Sequence, residues 1–302
     1  MDITQEGLRT LAAVLREGTF DAAAASLHIT PSAVSQRIKA LEAAVGRVVL
    51  RRTKPVSATP DGEVLVRLAR QWDLLLAETR AALVGEPADA AVPVAAQPRV
   101  HLPIASNADS LATWLLPVLA RFHREHPVAV EVLRDDETRS SALLRSGDAL
   151  AAVTSEPLAV RGCALHSLGS MRYLPVATPE FIDTWLRDGP DADVLARAPM
   201  VQFDRNDHLQ RDMVAALAGR AVDPPAAYIP ASTEYHRAVT LGIGWGAVPD
   251  VQIQKALDDG RVRMIADHHL DVPLYWQYWK LSSPLLQHLT ELVIAGAAAV
   301  LR

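Results

Sequence analysis

The segment TPSAVSQRIKALE, residues 30–42, decides how the N-terminal part of this chain is interpreted. Val34, Ile38 and Leu41 recur at the spacing of one helical face, which predicts that this face is buried. The opposite face carries short hydroxyls, an amide and a cation instead of mixed long charged side chains: Ser32, Ser35, Gln36 and Lys39. Such groups can bind base edges and phosphates together. The segment therefore predicts a helix that reads nucleic acid, with a plain solvated face as the alternative.

Two earlier segments with helical spacing complete a helix-turn-helix layout. Residues 5–17 place leucines on an inner face, and residues 20–28 are rich in alanine, whose small side chain lets two helices cross closely. A short turn then leads to the helix start, where Thr30 can cap and Pro31 takes the first position. We therefore expect a DNA-binding domain of the helix-turn-helix type over residues 1–60.

The segment RVVLRRTKPVSATPDG that follows is interpreted as a basic β-hairpin. Two short stretches rich in β-branched residues bracket Arg51, Arg52 and Lys54. Residues 30–60 contain six basic side chains against a single acidic one, although the whole chain has a net charge of −5. Positive charge therefore lies where a DNA contact needs it. The hairpin predicts the wing of a winged helix.

A long helix is predicted over residues 61–84. Its apolar stripe is narrow and close to the heptad period: Leu65, Leu68, Trp72, Leu75, Thr79 and Ala82. Such a stripe favours pairing with a second helix, so we predict a dimerisation helix, and packing against its own domain is the alternative. Prolines break the periodicity over residues 85–98, which are interpreted as a hinge.

Composition narrows the class of protein further. The chain has 302 residues, half of them hydrophobic, which suits about two or three domains, and no apolar run is long enough to span a bilayer. Cys163 is the only cysteine, so an intramolecular disulfide is excluded. The N-terminus lacks the basic and apolar layout of a signal peptide. We therefore expect a cytoplasmic, nucleoid-associated protein that does not contact a membrane.

From residue 99 onward, strand-like and helix-like segments alternate. The first five form a βαβαβ series, which predicts a parallel sheet with right-handed crossovers. The predicted fold class is therefore α/β, with an α-helix-rich winged helix-turn-helix domain at the N-terminus. The second domain, residues 99–302, is expected to have two lobes: lobe I at about 99–170 and 271–302, and lobe II at about 171–270. A ligand cleft is expected at the carboxyl ends of the strands.

Several motifs resemble those of a known family. FDAAAASLHITPSAVSQRIKALE and TPDG are similar to the winged helix of LysR-type transcriptional regulators. NADSLATWLLP, DDETR, GAVPDVQI and LYWQYW are similar to the effector domain of the LysG/ArgP subgroup, regulators of basic amino acid export that respond to lysine and arginine. The resemblance covers nearly the whole chain and implies an effector domain like a periplasmic binding protein. One departure is visible, because Val49 and Leu50 stand where many members have Phe in the wing.

The resemblance implies a DNA-binding site in the first domain. Ser32, Ser35 and Gln36 would approach base edges, and glutamine can pair with adenine. The residues that would hold phosphates are Thr30, Arg37, Lys39, Arg52 and Lys54. The implied partners are double-stranded promoter DNA, further copies of the chain in a homodimer or homotetramer, and RNA polymerase.

The implied effector is L-lysine or L-arginine, which carries one carboxylate and two cationic groups. Hydroxyls and free N–H groups at helix starts suit the carboxylate, and acidic side chains suit the cations. The candidates end predicted strands or begin predicted helices: Ser106, Asn107, Asp109, Asp136, Glu137, Thr154, Asp204 and Glu234. The sequence thus predicts an effector site at the strand ends.

Each acidic candidate has an alternative role. Asp109 and Glu234 could cap or flank helix N-termini, which is common for acidic residues. The adjacent pair 136–137 could simply be solvated. Asp207 is a second candidate beside Asp204 in the segment FDRND.

Other classes of protein fit less well. A solute-binding protein would suit the effector domain alone, but the basic winged helix and the missing signal peptide disfavour it. An enzyme would need a nucleophile–base pair or a metal set, so we predict no catalytic residues, no metal ligands and no cofactor. His268 and His269 lack the spacing and third ligand of a metal site. Within the regulators, a different small metabolite is the alternative effector.

Overall fold

The computed structural model describes residues 2–84, 100–134 and 140–302. They form two compact units. The first comprises Met1–Ser106, Arg121–Leu165 and Gln277–Thr290, and the second Asn107–Ala120, His166–Trp276 and Glu291–Arg302. The predicted hinge, residues 85–98, lies outside the described residues, and the predicted domain and lobe boundaries stay a prediction. Within the described ranges, no helix combines the length and hydropathy needed to cross a membrane.

Three helices open the chain: α1 (Gln5–Glu17), α2 (Phe20–Leu27) and α3 (Pro31–Val45). Each begins at a threonine, and Oγ1 of Thr4, Thr19 and Thr30 accepts a backbone N–H from three residues onward at 3.2 Å. The inner faces of the three helices meet in one hydrophobic core that includes Ile38 and Leu41. The predicted helices and the predicted Thr30 cap are confirmed.

Two short strands pair antiparallel and form the predicted hairpin: β1 (Leu50–Arg51) and β2 (Ser57–Ala58). Val49 and Leu50 are buried in the core of the three helices, so this apolar pair packs well in the wing. The next helix passes close to the hairpin at Gly62, where only the absence of a side chain permits the contact. A Cβ at that position would lie 2.0 Å from the Val49 carbonyl oxygen. The motif TPDG therefore needs its glycine for packing.

The long helix α4 (Pro60–Val84) confirms the predicted element. Leu65 is buried, whereas the side chain of Trp72, in the predicted pairing stripe, is 45% exposed. The helix also packs along its own chain in the first unit, where the Arg70 guanidinium lies 2.8 Å from the Asp148 carboxylate. The alternative of packing against its own chain therefore holds for part of α4, and the other part presents exposed apolar side chains.

A parallel sheet follows in the first unit: β3 (Val100–Ser106), β4 (Val128–Arg134) and β5 (Ala151–Thr154), with α7 (Ser140–Ser146) before β5. β3 pairs in parallel with both β4 and β5, which confirms the predicted βαβαβ series. Ser106 ends β3 and Thr154 ends β5, so both lie at the same edge of the sheet.

The first helix of the predicted βαβαβ series, between β3 and β4, is interrupted. It consists of α5 (Ala108–Ser110), a π-helical turn (Leu111–Leu115) and α6 (Leu116–Glu125). Trp114 and Leu115 on the π-helical turn are buried. Apolar spacing alone does not distinguish one wider turn within a helix, and for this reason the sequence predicted a regular element.

The remaining elements alternate as predicted: β6 (Cys163–Ala177), α8 (Pro179–Trp185), α9 (Ala192–Leu195), β7 (Met200–Gln202), α10 (His208–Ala218), β8 (Ala226–Tyr228), α11 (Ser232–Thr240), β9 (Gly246–Pro249), α12 (Asp250–Asp258), β10 (Arg263–Met264), β11 (Leu270–Trp279) and α13 (Pro284–Ala298). In the second unit, β6 pairs antiparallel with β9 and β10, and β7 pairs in parallel with β8. Val176, Val201 and Val239 form part of its core. The short α9 and β10 were not predicted, because so few residues show no periodicity.

Candidate functional site

The outer face of α3 carries the side chains predicted to bind DNA. Val34, Ile38 and Leu41 are buried, as predicted, so the opposite face of the helix is accessible. Its polar residues are Ser32, Gln36 and Lys39, which are exposed, and Ser35, which is half-buried. Oγ1 of Thr30 lies 2.9 Å from Oγ of Ser32. Hydroxyl, amide and ammonium groups thus share one accessible face.

The wing and the flank of α3 add cations. Arg52 and Lys54 are exposed, and the Arg52 guanidinium lies 5.9 Å from the centre of the Phe20 ring. Arg37 is half-buried and pairs with the exposed carboxylate of Glu6 at 3.6 Å. Because an exposed ion pair contributes little free energy, Arg37 can exchange Glu6 for a phosphate at small cost.

Three candidate effector residues lie at strand and helix ends with partners of their own. Ser106 and Thr154 are fully buried. Asn107 Oδ1 accepts the Ser110 N–H at 3.0 Å and so caps α5. Their predicted role toward the effector stays a prediction. Asp136 and Glu137, the DDETR candidates, lie outside the described residues.

Asp109 is held in the second unit by hydroxyl groups. Tyr173 Oη donates to Asp109 Oδ2 at 2.7 Å, and the Ser232 side chain forms a second hydrogen bond. Burial raises the pKa of the Asp109 carboxyl above its ordinary value, and the two hydrogen bonds oppose that shift. The N-cap of the helix is Asn107, and Asp109 lies in the first turn, so Asp109 flanks the helix start but does not cap it.

Of the two aspartates in the FDRND segment, Asp207 is the one that backbone N–H groups hold on both carboxylate oxygens. Its Oδ1 accepts the Gln210 N–H at 3.1 Å, and its Oδ2 accepts the Phe203 N–H at 3.0 Å. Burial raises the pKa of the Asp207 carboxyl, and the negative charges of Asp109 and Asp204 raise it further. We call Asp109, Asp204 and Asp207 the acidic cluster. The charges of Asp109 and Asp204 thus act on Asp207 within the second unit.

Glu234, which is not part of the acidic cluster, lies at the start of a helix. It is exposed in the first turn of α11, whose N-cap residue, Ala231, makes no side-chain capping bond. Ser232 and Thr233 lie within the helix, so neither is its N-cap. The Ser232 hydroxyl bonds to Asp109 instead, because the tertiary fold brings that carboxyl to the helix start.

Buried polar side chains support the acidic cluster. Tyr235 Oη donates to the Val201 carbonyl at 3.0 Å, and a Cβ on Gly246 would lie 2.2 Å from that hydroxyl. The Gln210 amide bonds to the backbone of Ala247 in both directions, each at 3.0 Å. These bonds satisfy buried polar groups and fix the surroundings of Asp207.

Sequence reasoning missed the roles of Tyr173 and Ser232. Tyr173 lies 64 residues from its carboxylate partner along the chain. No local spacing signals such a contact. Asp207 had a signal, since an aspartate just before a helix is a typical cap.

Two family models match the chain. The bacterial regulatory helix-turn-helix protein of the lysR family matches residues 6–63, and the LysR substrate binding domain matches residues 95–298. Together they cover both predicted domains. They confirm the predicted fold class, a helix-turn-helix domain followed by a two-lobed α/β domain.

Individual relatives agree with these models. The HTH-type transcriptional regulator LysG of Mycobacterium tuberculosis is 44% identical over 295 residues, 98% of this chain and 94% of that protein. The lysine export transcriptional regulatory protein LysG of Corynebacterium efficiens is 43% identical over 297 residues, 98% of each chain. Full-length LysG from Corynebacterium glutamicum with bound effector Arg has a TM-score of 0.79 at 38% identity, over 99% of this chain and 100% of that one. The chain therefore belongs to the LysR family and is a transcriptional regulator of the LysG/ArgP type, not an enzyme.

Proposed function

We propose that this regulator senses a basic amino acid, L-arginine or L-lysine, and controls the gene of an amino acid exporter. The acidic cluster is the observation that carries the proposal. It is supported by the arginine bound to LysG of Corynebacterium glutamicum and by the export role in the name of the Corynebacterium efficiens relative. No further cofactor is part of the proposal.

The acidic cluster has the electrostatics of a cation site. Burial raises the pKa of the Asp109 and Asp207 carboxyl groups, and the negative charges of Asp109 and Asp204 add to the shift of Asp207, which means that the ionised forms of Asp109 and Asp207 are destabilised without a cation. A guanidinium or ammonium group removes that cost and forms charge-assisted hydrogen bonds with carboxylate oxygens. A neutral or anionic metabolite does neither. The cluster therefore favours a basic effector over the alternative of another small metabolite.

The other predicted effector residues keep their predicted roles. Ser106, Asn107 and Thr154 are assigned to the carboxylate of the effector on the chemistry of their hydroxyl and amide groups. Asp136, Glu137 and Glu234 are assigned to its cations on charge alone.

Calorimetric titration of the full-length chain tests the effector. Arginine, lysine, histidine and leucine are titrated into the wild type, Asp207→Asn and the control Asp212→Asn, an exposed aspartate on α10. We expect arginine or lysine to bind, Asp207→Asn to lose about 2 kcal/mol or more of binding free energy, and Asp212→Asn to bind as the wild type does. Equal binding by all three proteins, or binding of leucine alone, would overturn the basic effector.

The proposal assigns DNA binding to α3 and the wing. Ser32, Ser35 and Gln36 contact base edges in the major groove. The phosphate contacts are assigned to Thr30, Arg37, Lys39, Arg52 and Lys54. The exposed stripe of α4 around Trp72 pairs two chains, so the protein acts as a homodimer or homotetramer on a symmetric operator and meets RNA polymerase there. A regulator that binds promoter DNA works where that DNA is, so we place the protein in the cytoplasm on the nucleoid.

Salt dependence tests the DNA part separately from the effector. Neutralising roughly six phosphates per dimer gives a slope near −5 when the logarithm of the association constant is plotted against the logarithm of salt concentration. Fluorescence anisotropy with a labelled promoter fragment measures it. A flat response would contradict the phosphate assignment whatever the effector proves to be.

A further inference from the structure

A second cluster of titratable side chains contains none of the residues assigned to DNA binding or effector binding. Glu125 ends α6, His126 follows it, and His288 lies near the start of α13. One nitrogen or oxygen atom from each of the three side chains can be chosen so that all three atoms lie within 4.8 Å of one another. All three residues belong to the first unit. Among the residues that the structure describes, this is the group of three histidine, cysteine, aspartate or glutamate side chains whose ligand atoms lie close enough to bind one metal ion.

The two imidazoles are in direct contact. His126 Nε2 lies 2.7 Å from His288 Nδ1, and His288 Nε2 lies 3.2 Å from Glu125 Oε2. Phe122 packs against both rings, with centroid distances of 5.0 Å to His126 and 6.2 Å to His288. The packing orients both histidines toward each other before any ligand binds.

The backbone holds His126 in place as well. Its N–H donates to the Phe122 carbonyl at 3.0 Å, and its own carbonyl accepts the Val128 N–H at 2.9 Å. Arg121 binds Oε1 of Glu125 at 2.9 Å and leaves Oε2 on the side of His288. The carboxylate can thus offer one oxygen to a cation while its other oxygen keeps the arginine.

Two imidazoles and one carboxylate are the ligand set of zinc sites that keep one position for water. Tetrahedral bonds of about 2.1 Å place neighbouring ligand atoms roughly 3.4 Å apart. A zinc ion takes one nitrogen of His288, whose Nδ1 faces His126 and whose Nε2 faces Glu125, so the side chains must rotate to bring one atom from each residue to that spacing.

We propose that Glu125, His126 and His288 bind one zinc ion, which ties the end of α6 to α13. The site is independent of the effector and of the DNA surface. The sequence predicted no metal site because the two histidines lie 162 residues apart and show no ligand spacing. The fold alone brings them together.

Zinc titration of the metal-stripped full-length chain tests the site. The variants are His126→Gln, His288→Gln and Glu125→Gln, and the control is His123→Gln, an exposed histidine on the same helix. We expect one zinc ion per chain, an affinity at least about tenfold lower in each histidine variant, and wild-type affinity in the control. Cobalt in place of zinc should give the visible absorption of a tetrahedral site in the wild type and the control only.

Melting temperatures without metal show whether each variant is folded. Glu125 is exposed, so Glu125→Gln is the substitution that should disturb folding least. If a histidine variant melts early, the zinc affinity of Glu125→Gln decides the test. Failure of the wild type to bind zinc, or equal affinity in all five proteins, would overturn the proposal. Neither result bears on arginine binding or on DNA binding.

Discussion

The outer face of α3 and the acidic cluster hold their polar groups in opposite ways. Ser32, Gln36 and Lys39 are exposed to solvent, and the helix that carries them is stabilised by its buried opposite face. Asp109 and Asp207 are partly buried among hydroxyl and amide groups, and burial raises the pKa of both carboxyls. The exposed face costs little stability, whereas the acidic cluster does cost stability until a cation arrives. Under the proposed function, the site that discriminates a small ligand is therefore the one whose charged groups are costly to bury.

The largest expected effect is that of Asp109→Asn. The change should weaken arginine binding by about 2–5 kcal/mol, because it removes one partner of a partly buried charge pair. The free protein should melt no lower at pH 7. A folded-state pKa above the unfolded one means that the stability contributed by this carboxyl is lost as pH rises through the folded pKa, so the ionised form is the less stable one.

Calorimetric titration and thermal unfolding of the same samples measure both effects. Asp212→Asn, exposed on α10, is the control for both. A variant that binds arginine normally, or melts well below the wild type, would show that Asp109 is a structural group.

Ile38→Ala tests how much the buried face of α3 contributes to the free energy of unfolding. The side chain is 3% exposed, so its truncation should cost about 2–5 kcal/mol of unfolding free energy through lost burial and a cavity. Denaturant unfolding monitored in the DNA-binding domain gives the value. A cost below about 1 kcal/mol would mean that the core of the three helices can close around the gap.

Gln36→Ala changes the exposed face of the same helix and should leave unfolding unchanged. DNA binding should lose about 1–3 kcal/mol of discrimination at one base pair, because a bidentate contact to a base edge is removed. Competition between the operator and single-base variants measures this loss. If affinity falls equally for all sequences, Gln36 contacts a phosphate rather than a base.

The smallest expected effect is the pH dependence of arginine binding. The Asp109 and Asp207 carboxyls must be ionised to bind a cation, and their raised pKa values bring protonation closer to neutral pH. Affinity should therefore hold at high pH and fall as pH drops through those pKa values, by at most about tenfold per pH unit for each carboxyl. Asp109→Asn and Asp207→Asn should each flatten the profile. A profile that is flat in the wild type would contradict the role of the carboxylates.

Much of the fold could be predicted because its signals are local. The Thr30 cap and the buried spacing of Val34 and Ile38 are each set within a few residues, and the structure confirms both of them. The alternation of strands and helices after residue 99 has the same local origin. The π-helical turn at Leu111–Leu115 escaped because a single wider turn leaves the apolar spacing intact.

The candidate sites differ in the same respect, because some depend on nearby residues and others on distant segments that pack together. By itself, the sequence determined the polar face of α3 and the basic hairpin, since one helix or one turn presents all of their groups. Only the tertiary structure brought Tyr173 and Ser232 to Asp109, and His288 to His126, across separations that no spacing encodes. The physical reason is that a helix face is a property of nearby residues. The burial that raises a carboxyl pKa, or that pairs two imidazoles, depends on which distant segments pack together.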